Sequence, residues 1–206
     1  MIDQVVLFAP DFAAMRKPCS PLHKGILKPD GSSLPWQVHR LAKSKSKGDH
    51  EEWLATVRQA LPAIKMVSAT ARPDDNHAFV QVEYRSGLTV PASGLSEGTL
   101  HLLAMTLLPH TQPCPGVVYI EEPENGTHPK AIQVMLEAYQ GTFGSQILVS
   151  THSPVVLAHT ALEHALCLRM SKTGAVDVVV GTEHPRLAEW RGEVDLGVLF
   201  AAGVLE

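Results

Sequence analysis

The stretch VVYIEEPENGTHP, residues 117–129, decides the fold. Four apolar residues, Val117 to Ile120, run directly into Glu121 and Glu122, then Pro123, Glu124, Asn125-Gly126 and His128-Pro129. A short apolar run bounded by turn residues reads as a buried strand. Two adjacent carboxylates at its end repel each other and lose hydration if buried, which costs stability. A cation and phosphates beside them would offset that cost. The bland alternative is a pair of exposed acids followed by an Asn-Gly turn.

Working outward, PKAIQVMLEAYQG (129–141) predicts a helix, with Pro129 at its first position and Gly141 as its stop. SQILVST (145–151) reads as a second, fully apolar strand, and SPVVLAHTALE (153–163) as a helix capped by Ser153. Upstream, SEGTLHLLAMTLLP (96–109) predicts a helix with Ser96 at the N-cap and Leu100, Leu103, Ala104, Leu107 and Leu108 at helical spacing. HALCLRM and AVDVVVG flank SKTG as a hairpin, and the tail from Pro185 is short helix and loop. Strands alternating with helices imply an α/β fold whose parallel sheet is covered on both faces. Ligands of such sheets bind beyond the carboxyl ends of the strands. EEPEN (121–125) and STHSP (150–154) both stand there.

Before residue 90 the pattern is looser. QVVLFA (4–9) reads as a short buried strand, and the Pro/Gly/Ser-rich segment 17–35 as loop. Asp49 is expected to cap a helix through EEWLATVRQALPAI (51–64), with Trp53, Val57, Leu61 and Ile64 on one face. Pro62 should bend or end it. HAFVQVEYR (77–85) alternates as a half-exposed strand and pairs with LTVPA (88–92) across Ser86-Gly87. The expected organisation is a partial N-terminal or insertion region over 1–90 and a second lobe over 91–206.

With 206 residues, 45% hydrophobic and 18% charged, the chain is globular. A formal net charge of −4 argues against a surface coated in nucleic acid. Cys19, Cys114 and Cys167 show no metal or disulfide spacing, which fits a reducing cytosol. MIDQVVLFAP is too short and acidic for a signal peptide. The longest apolar run, LHLLAMTLL, is broken by His101 and Thr106, so no membrane span is expected. KSKSK (43–47) reads as a solvated loop and the three tryptophans as packing residues.

Chemistry concentrates in three places. The strand-end carboxylates suit a magnesium ion and a general base. A histidine after the neighbouring strand, His152, suits contact with a γ-phosphate or the attacking water, although a lone histidine is more often structural and the chain has 11. LSEGT (95–99) opens a helix whose free amides and positive dipole end suit an anion, unless Ser96 is an ordinary cap. A metal-dependent hydrolase or nuclease would instead use Glu121, Glu122, Glu124, His128 and His152 as ligands to Mn²⁺ or Zn²⁺.

Together LSEGTLHLLAM, VVYIEEPENGTHP and ILVSTHSP resemble the signature helix, the Walker B strand with its D-loop, and the histidine switch of ATP-binding-cassette-like ATPases. The resemblance is to the RecF, SMC and OLD types and the related AAA-type defence ATPases. It is strongest over residues 90–160, and LKPDGSSL (27–34) resembles a segment these proteins carry between two lobes. It implies a P-loop NTPase-like, ABC ATPase-type C-terminal lobe that uses ATP and Mg²⁺. It also implies a metal role for Glu121, catalytic roles for Glu122 as base and His152 as switch, and cofactor contacts from Ser96, Gly98, Asn125, Gly126 and His128.

The family's Walker A loop, G-x-x-x-x-G-K-[ST], has no counterpart, because none of the 15 glycines is followed by lysine. The chain is therefore expected to be one half of a split ATPase. A partner carrying Walker A, or a second ATPase subunit, would complete it in an oligomer without a membrane role. Nucleic acid or a nuclease would be the effector, in DNA maintenance or phage defence. A non-hydrolysing scaffold is the alternative.

Overall fold

The structure, a computed structural model, describes residues 5–44, 48–111, 115–141, 144–171, 173–187, 190, 192 and 194–204. Cys114 and Lys45–Lys47 of the basic run lie outside the described residues. The chain divides into two units, Met1–Ser150 and Thr151–Glu206.

The first unit contains, in order, β1 (Val5–Leu7), α1 (Phe12–Met15), α2 (Leu34–Ala42), α3 (Asp49–Ala60), β2 (Ile64–Ala71), β3 (Ala78–Tyr84) and β4 (Thr89–Pro91). It continues through α4 (Glu97–Leu107), β5 (Val117–Glu121), α5 (Pro129–Gln140) and β6 (Gln146–Ser150). Strands β1, β5 and β6 form a parallel sheet in that order, and β2, β3 and β4 an antiparallel one. The architecture is α/β, a parallel sheet flanked by helices, as the alternating pattern predicts.

One hydrophobic core joins both sheets. Val6, Phe8, Val118 and Ile120 from the parallel sheet and Ile64, Val67, Val80 and Val82 from the antiparallel one share it with Trp53, Leu54, Leu100, Leu103 and Met135. Each aliphatic side chain fully buried there stabilises the fold by about 1.5–3 kcal/mol relative to exposure. Helix α4 is central: every residue from Leu100 to Leu107 is buried. Its one buried hydroxyl is satisfied, since Trp53 Nε1 donates to Thr106 Oγ1 (3.1 Å), which donates to Leu102 O (2.7 Å).

Several sequence expectations are corrected. Helix α2 starts at Leu34, at the end of what reads as loop; Pro35 is tolerated in its first turn, and Trp36, Val38 and Leu41 are buried. Asp49 is inside α3, with Gly48 at the N-cap, and its carboxylate accepts from Ser44 Oγ at 2.8 Å. The helix stops at Ala60, before Pro62, so Ile64 opens β2 and is not on the helix face. The two faces of the parallel sheet are unequally covered. On the side opposite Val6, Val118 and Ile120, Val5 (66%), Leu7 (50%) and Leu148 (36%) are exposed while Val117 (8%) is buried, since successive side chains alternate sides.

In the second unit, α6 (Pro154–Ala158) follows its Ser153 cap, β7 (Leu166–Met170) and β8 (Val176–Val180) form the expected hairpin, and α7 (Leu196–Ala201) is capped by Asp195. A small core of Leu187 and Leu196, with Leu157, Leu162 and Cys167 against it, holds the unit together. Among the described residues, no helix is long and apolar enough to cross a membrane.

Candidate functional site

The carboxyl end of β5 builds the site. Glu121 is the last strand residue, in register with Ser150 of β6, and is exposed. The next amide, Glu122 N–H, still donates to Ser150 O at 2.9 Å, but its backbone has already turned. Glu122 has φ +42°, in the left-handed region that glycine favours. Holding a non-glycine residue there costs of order 1–3 kcal/mol, which the surrounding bonds must offset.

Those bonds are local. Asn125 N–H donates to Glu122 O (3.0 Å), and Asn125 Nδ2 to Glu122 Oε2 (2.6 Å). Thr127 N–H donates to Glu124 O (3.0 Å), and Thr127 Oγ1 to Pro123 O (3.2 Å). Gly126 takes φ +70°, which a side chain would oppose. His128 then caps α5, its Nδ1 accepting from Lys130 N–H at 3.3 Å. That bond assigns the neutral ring's proton to Nε2.

Glu121 and Glu122 are thus exposed and half-buried, not sunk together into the core. The burial expected from the strand's apolar run ends at Ile120, and the desolvation that the two acids would suffer is largely avoided.

Helix α4 brings the second group. Ser96 is its N-cap: Oγ accepts from Thr99 N–H (3.2 Å) and lies 2.9 Å from Thr99 Oγ1. Helix geometry leaves the amides of Glu97 and Gly98 without an intrahelical acceptor. A Cβ on Gly98 would stand 3.3 Å from Gly126 O, so the helix start abuts the acidic turn. Glu121, Glu122, Asn125, Gly126 and His128 share one strand end and turn, with Gly98 against it and Ser96 two residues before.

His152 belongs to the second unit. It is exposed, between Thr151, whose Oγ1 accepts from Ser153 N–H at 2.9 Å, and the Ser153 cap of α6.

One neighbour of the α4 start has no signal in the sequence. Arg16, which ends α1, donates through Nη2 to Leu95 O (3.2 Å) and pairs through Nη1 with Glu97 Oε1 (3.6 Å). No local pattern connects residues 79 positions apart.

Among the described residues, no three His, Cys, Asp or Glu side chains converge as a metal cage. Mg²⁺ does not ask for one: it keeps several waters and binds one or two carboxylates plus phosphates. An exposed strand-end glutamate with a second beside it fits that ion, and fits Zn²⁺ poorly.

Residues 22–158 match the family described as "AAA domain, putative AbiEii toxin, Type IV TA system". The match spans more than half of the chain, and the chain belongs to this family of ATPase-type, nucleotide-binding domains. No curated protein matches the sequence.

Among solved structures, it is similar to the Smc head domain of Pyrococcus yayanosii (15% identity, TM-score 0.44, covering 63% of this chain and 26% of that one). It is similar also to the Smc head domain of Pyrococcus furiosus bound to the C-terminal domain of ScpA (14%, TM-score 0.48, 75% and 36%). A third structure, described as "Structural biochemistry of ATP-driven dimerization and DNA stimulated activation of SMC ATPases", gives 13% identity and TM-score 0.48, covering 75% of this chain and 91% of that one. This chain spans 26% and 36% of the two Pyrococcus chains.

Proposed function

We propose that the chain supplies the hydrolytic half of an ATP site whose phosphate loop comes from another polypeptide segment. The observation that carries the reading is the placement of Glu122. It stands at the carboxyl end of the central strand of a parallel sheet, where such sheets bind ligands, and Asn125 fixes its carboxylate. A carboxylate so held is suited to take a proton from a water attacking the γ-phosphorus. In that step the new P–O bond forms, the bond to the β-phosphate oxygen breaks, ADP leaves, and the water's proton passes to Glu122.

Glu121 would hold Mg²⁺, directly or through water; when bound, the ion screens the phosphate charge. His152 would contact the γ-phosphate as the switch. Ser96 and Gly98, at the open amides of α4, would meet the γ-phosphate of a nucleotide held by an opposing subunit. Asn125, Gly126 and His128 would form the turn that faces that subunit.

The family description names a toxin–antitoxin system, which supports a defence setting in which nucleotide state controls a nucleic-acid-directed effector. A second reading, a scaffold that does not hydrolyse, is favoured by one feature: no glycine in the sequence precedes a lysine.

The test is Mg-ATP turnover by the chain alone and with a partner that carries a P-loop, with Glu122→Gln as control. Turnover that needs both the partner and Glu122 supports the split site. No turnover in either state sinks it and leaves the scaffold. Turnover by the chain alone would show that the phosphate loop is dispensable.

A further inference from the structure

We propose that Arg16 is a positioning residue for the acidic turn, acting through the start of α4. The inference rests on the roles given above to Glu122, Ser96 and Gly98. Three interactions and one close approach make the path. Arg16 Nη2 donates to Leu95 O at 3.2 Å, and Nη1 lies 3.6 Å from Glu97 Oε1. Leu95 is 3% exposed, so its side chain anchors the segment in the core while Arg16 holds its carbonyl. Three residues on, a Cβ at Gly98 would meet Gly126 O at 3.3 Å, so the helix start and the turn are close neighbours with room for little more than the missing methyl. Asn125, next to Gly126, then fixes Glu122 through the 2.6 Å bond from Nδ2.

Arg16 is itself held. Its amide donates to Phe12 O at 3.1 Å, closing α1, and the Phe12 ring lies 5.9 Å from that of His101 on α4. α1 starts at Asp11, whose Oδ1 accepts from Ala13 N–H (2.8 Å) and Ala14 N–H (3.2 Å).

The two interactions of Arg16 differ in weight. The Glu97 side chain is 65% exposed, and exposed ion pairs contribute little. The hydrogen bond to Leu95 O is charge-assisted and its acceptor sits on a buried residue, so it dominates. Glu97→Gln should therefore be near silent, while Arg16→Gln should be felt at the turn.

Hydrogen–deuterium exchange on the full chain tests this without nucleotide. In Arg16→Gln, the amides of Thr99, Leu100, Asn125 and Thr127 should exchange roughly tenfold faster, the equivalent of one lost hydrogen bond. Those of Val67, Val80 and Val82 should keep wild-type rates, and Glu97→Gln should match wild type throughout. Wild-type rates at Asn125 and Thr127 in Arg16→Gln would overturn the proposal. So would equal acceleration in β2 and β3, which marks general destabilisation. Arg16→Lys keeps the charge and the stem without the planar fork. It should show the same pattern more weakly, and it replaces Arg16→Gln if that variant unfolds.

With a P-loop partner present, Arg16→Gln should lower kcat about as much as the turn loosens while KM holds; a rise in KM alone would count against positioning. If wild-type chain shows no turnover, the ATPase reading fails, and the exchange result still decides whether Arg16 holds the turn.

Discussion

Asn125 Nδ2 donates a 2.6 Å hydrogen bond to Oε2 of Glu122, across a turn in which Glu122 has φ +42°. The bond occupies one carboxylate oxygen and fixes the plane of the group. Asn125→Ala should free the carboxylate to rotate and lower kcat by about 10-fold or more, with nucleotide affinity kept, since misplaced general bases lose rate before binding. Asn125→Asp should be worse, because a like charge replaces the donor. Single-turnover hydrolysis and nucleotide titration of the partnered chain separate the two effects; an unchanged kcat in Asn125→Ala would remove Asn125 from the site.

The turn stores strain at one residue and avoids it at another. Glu122→Gly should stabilise the fold by relieving its left-handed backbone, while abolishing turnover. Gly126→Ala should destabilise it by roughly 1–2 kcal/mol, the steric cost of a Cβ in that region. Urea denaturation of the two variants should shift in opposite directions; a shift of the same sign would mean that the turn's backbone is not what limits it.

The acidic turn and its helices were legible because their signals are local. Pro129 and Gly141 bracket α5, Ser96 caps α4, and the Glu121–Asn125 run falls at a strand end. β2 was not legible. Its register shifts between Ile64 and Met66, which breaks the two-residue alternation, and Ile64 also fits the face of the preceding helix. Helix α2 hid behind the prolines and glycines before it. The unequal burial of the two faces of the parallel sheet has no signal in the sequence, since an unbroken apolar run looks the same whether one side or both are buried. Arg16 was invisible because its partners are tertiary.

The centre of the core contains one polar contact whose loss should be costly. Trp53 and Thr106 are both fully buried, and the indole N–H depends on Thr106 Oγ1 at 3.1 Å. Thr106→Val keeps the shape and strands that donor, at an expected cost of about 1–3 kcal/mol. Thermal unfolding of the variant checks it, and a loss below a few tenths would show that the indole finds another acceptor.

In the second unit, Gly197 on α7 lies so close to α6 that an added Cβ would stand 2.1 Å from Pro154 O. The atom it meets is backbone, so no side chain can swing away. Gly197→Ala should force α7 off α6 and expose Leu196, now 2% exposed. Limited proteolysis should then cut at α6 or α7 while β2, β3 and α4 of the first unit stay protected. Equal resistance in variant and wild type would mean that α7 accommodates the methyl by shifting as a whole.

Stability should fall as the solution is acidified through the histidine range, and His101 gives the reason. Its ring is buried on α4, and burial lowers its pKa from the ordinary 6.5. The unfolded chain then binds a proton at a pH where the folded chain does not. The stability His101 contributes is complete above 6.5 and is lost as pH falls from there toward its folded pKa. His110 acts with the same sign: burial lowers its pKa, against the opposing pull of Glu52 and Asp49, and Arg40 adds to the lowering. Each group can contribute at most about 1.4 kcal/mol per pH unit within its window. His101→Leu removes one titration and leaves the other. Urea midpoints at about pH 5.5 and about pH 7.5, either side of the ordinary histidine pKa, should differ less in His101→Leu than in wild type. An undiminished difference would assign the acid sensitivity to groups other than His101.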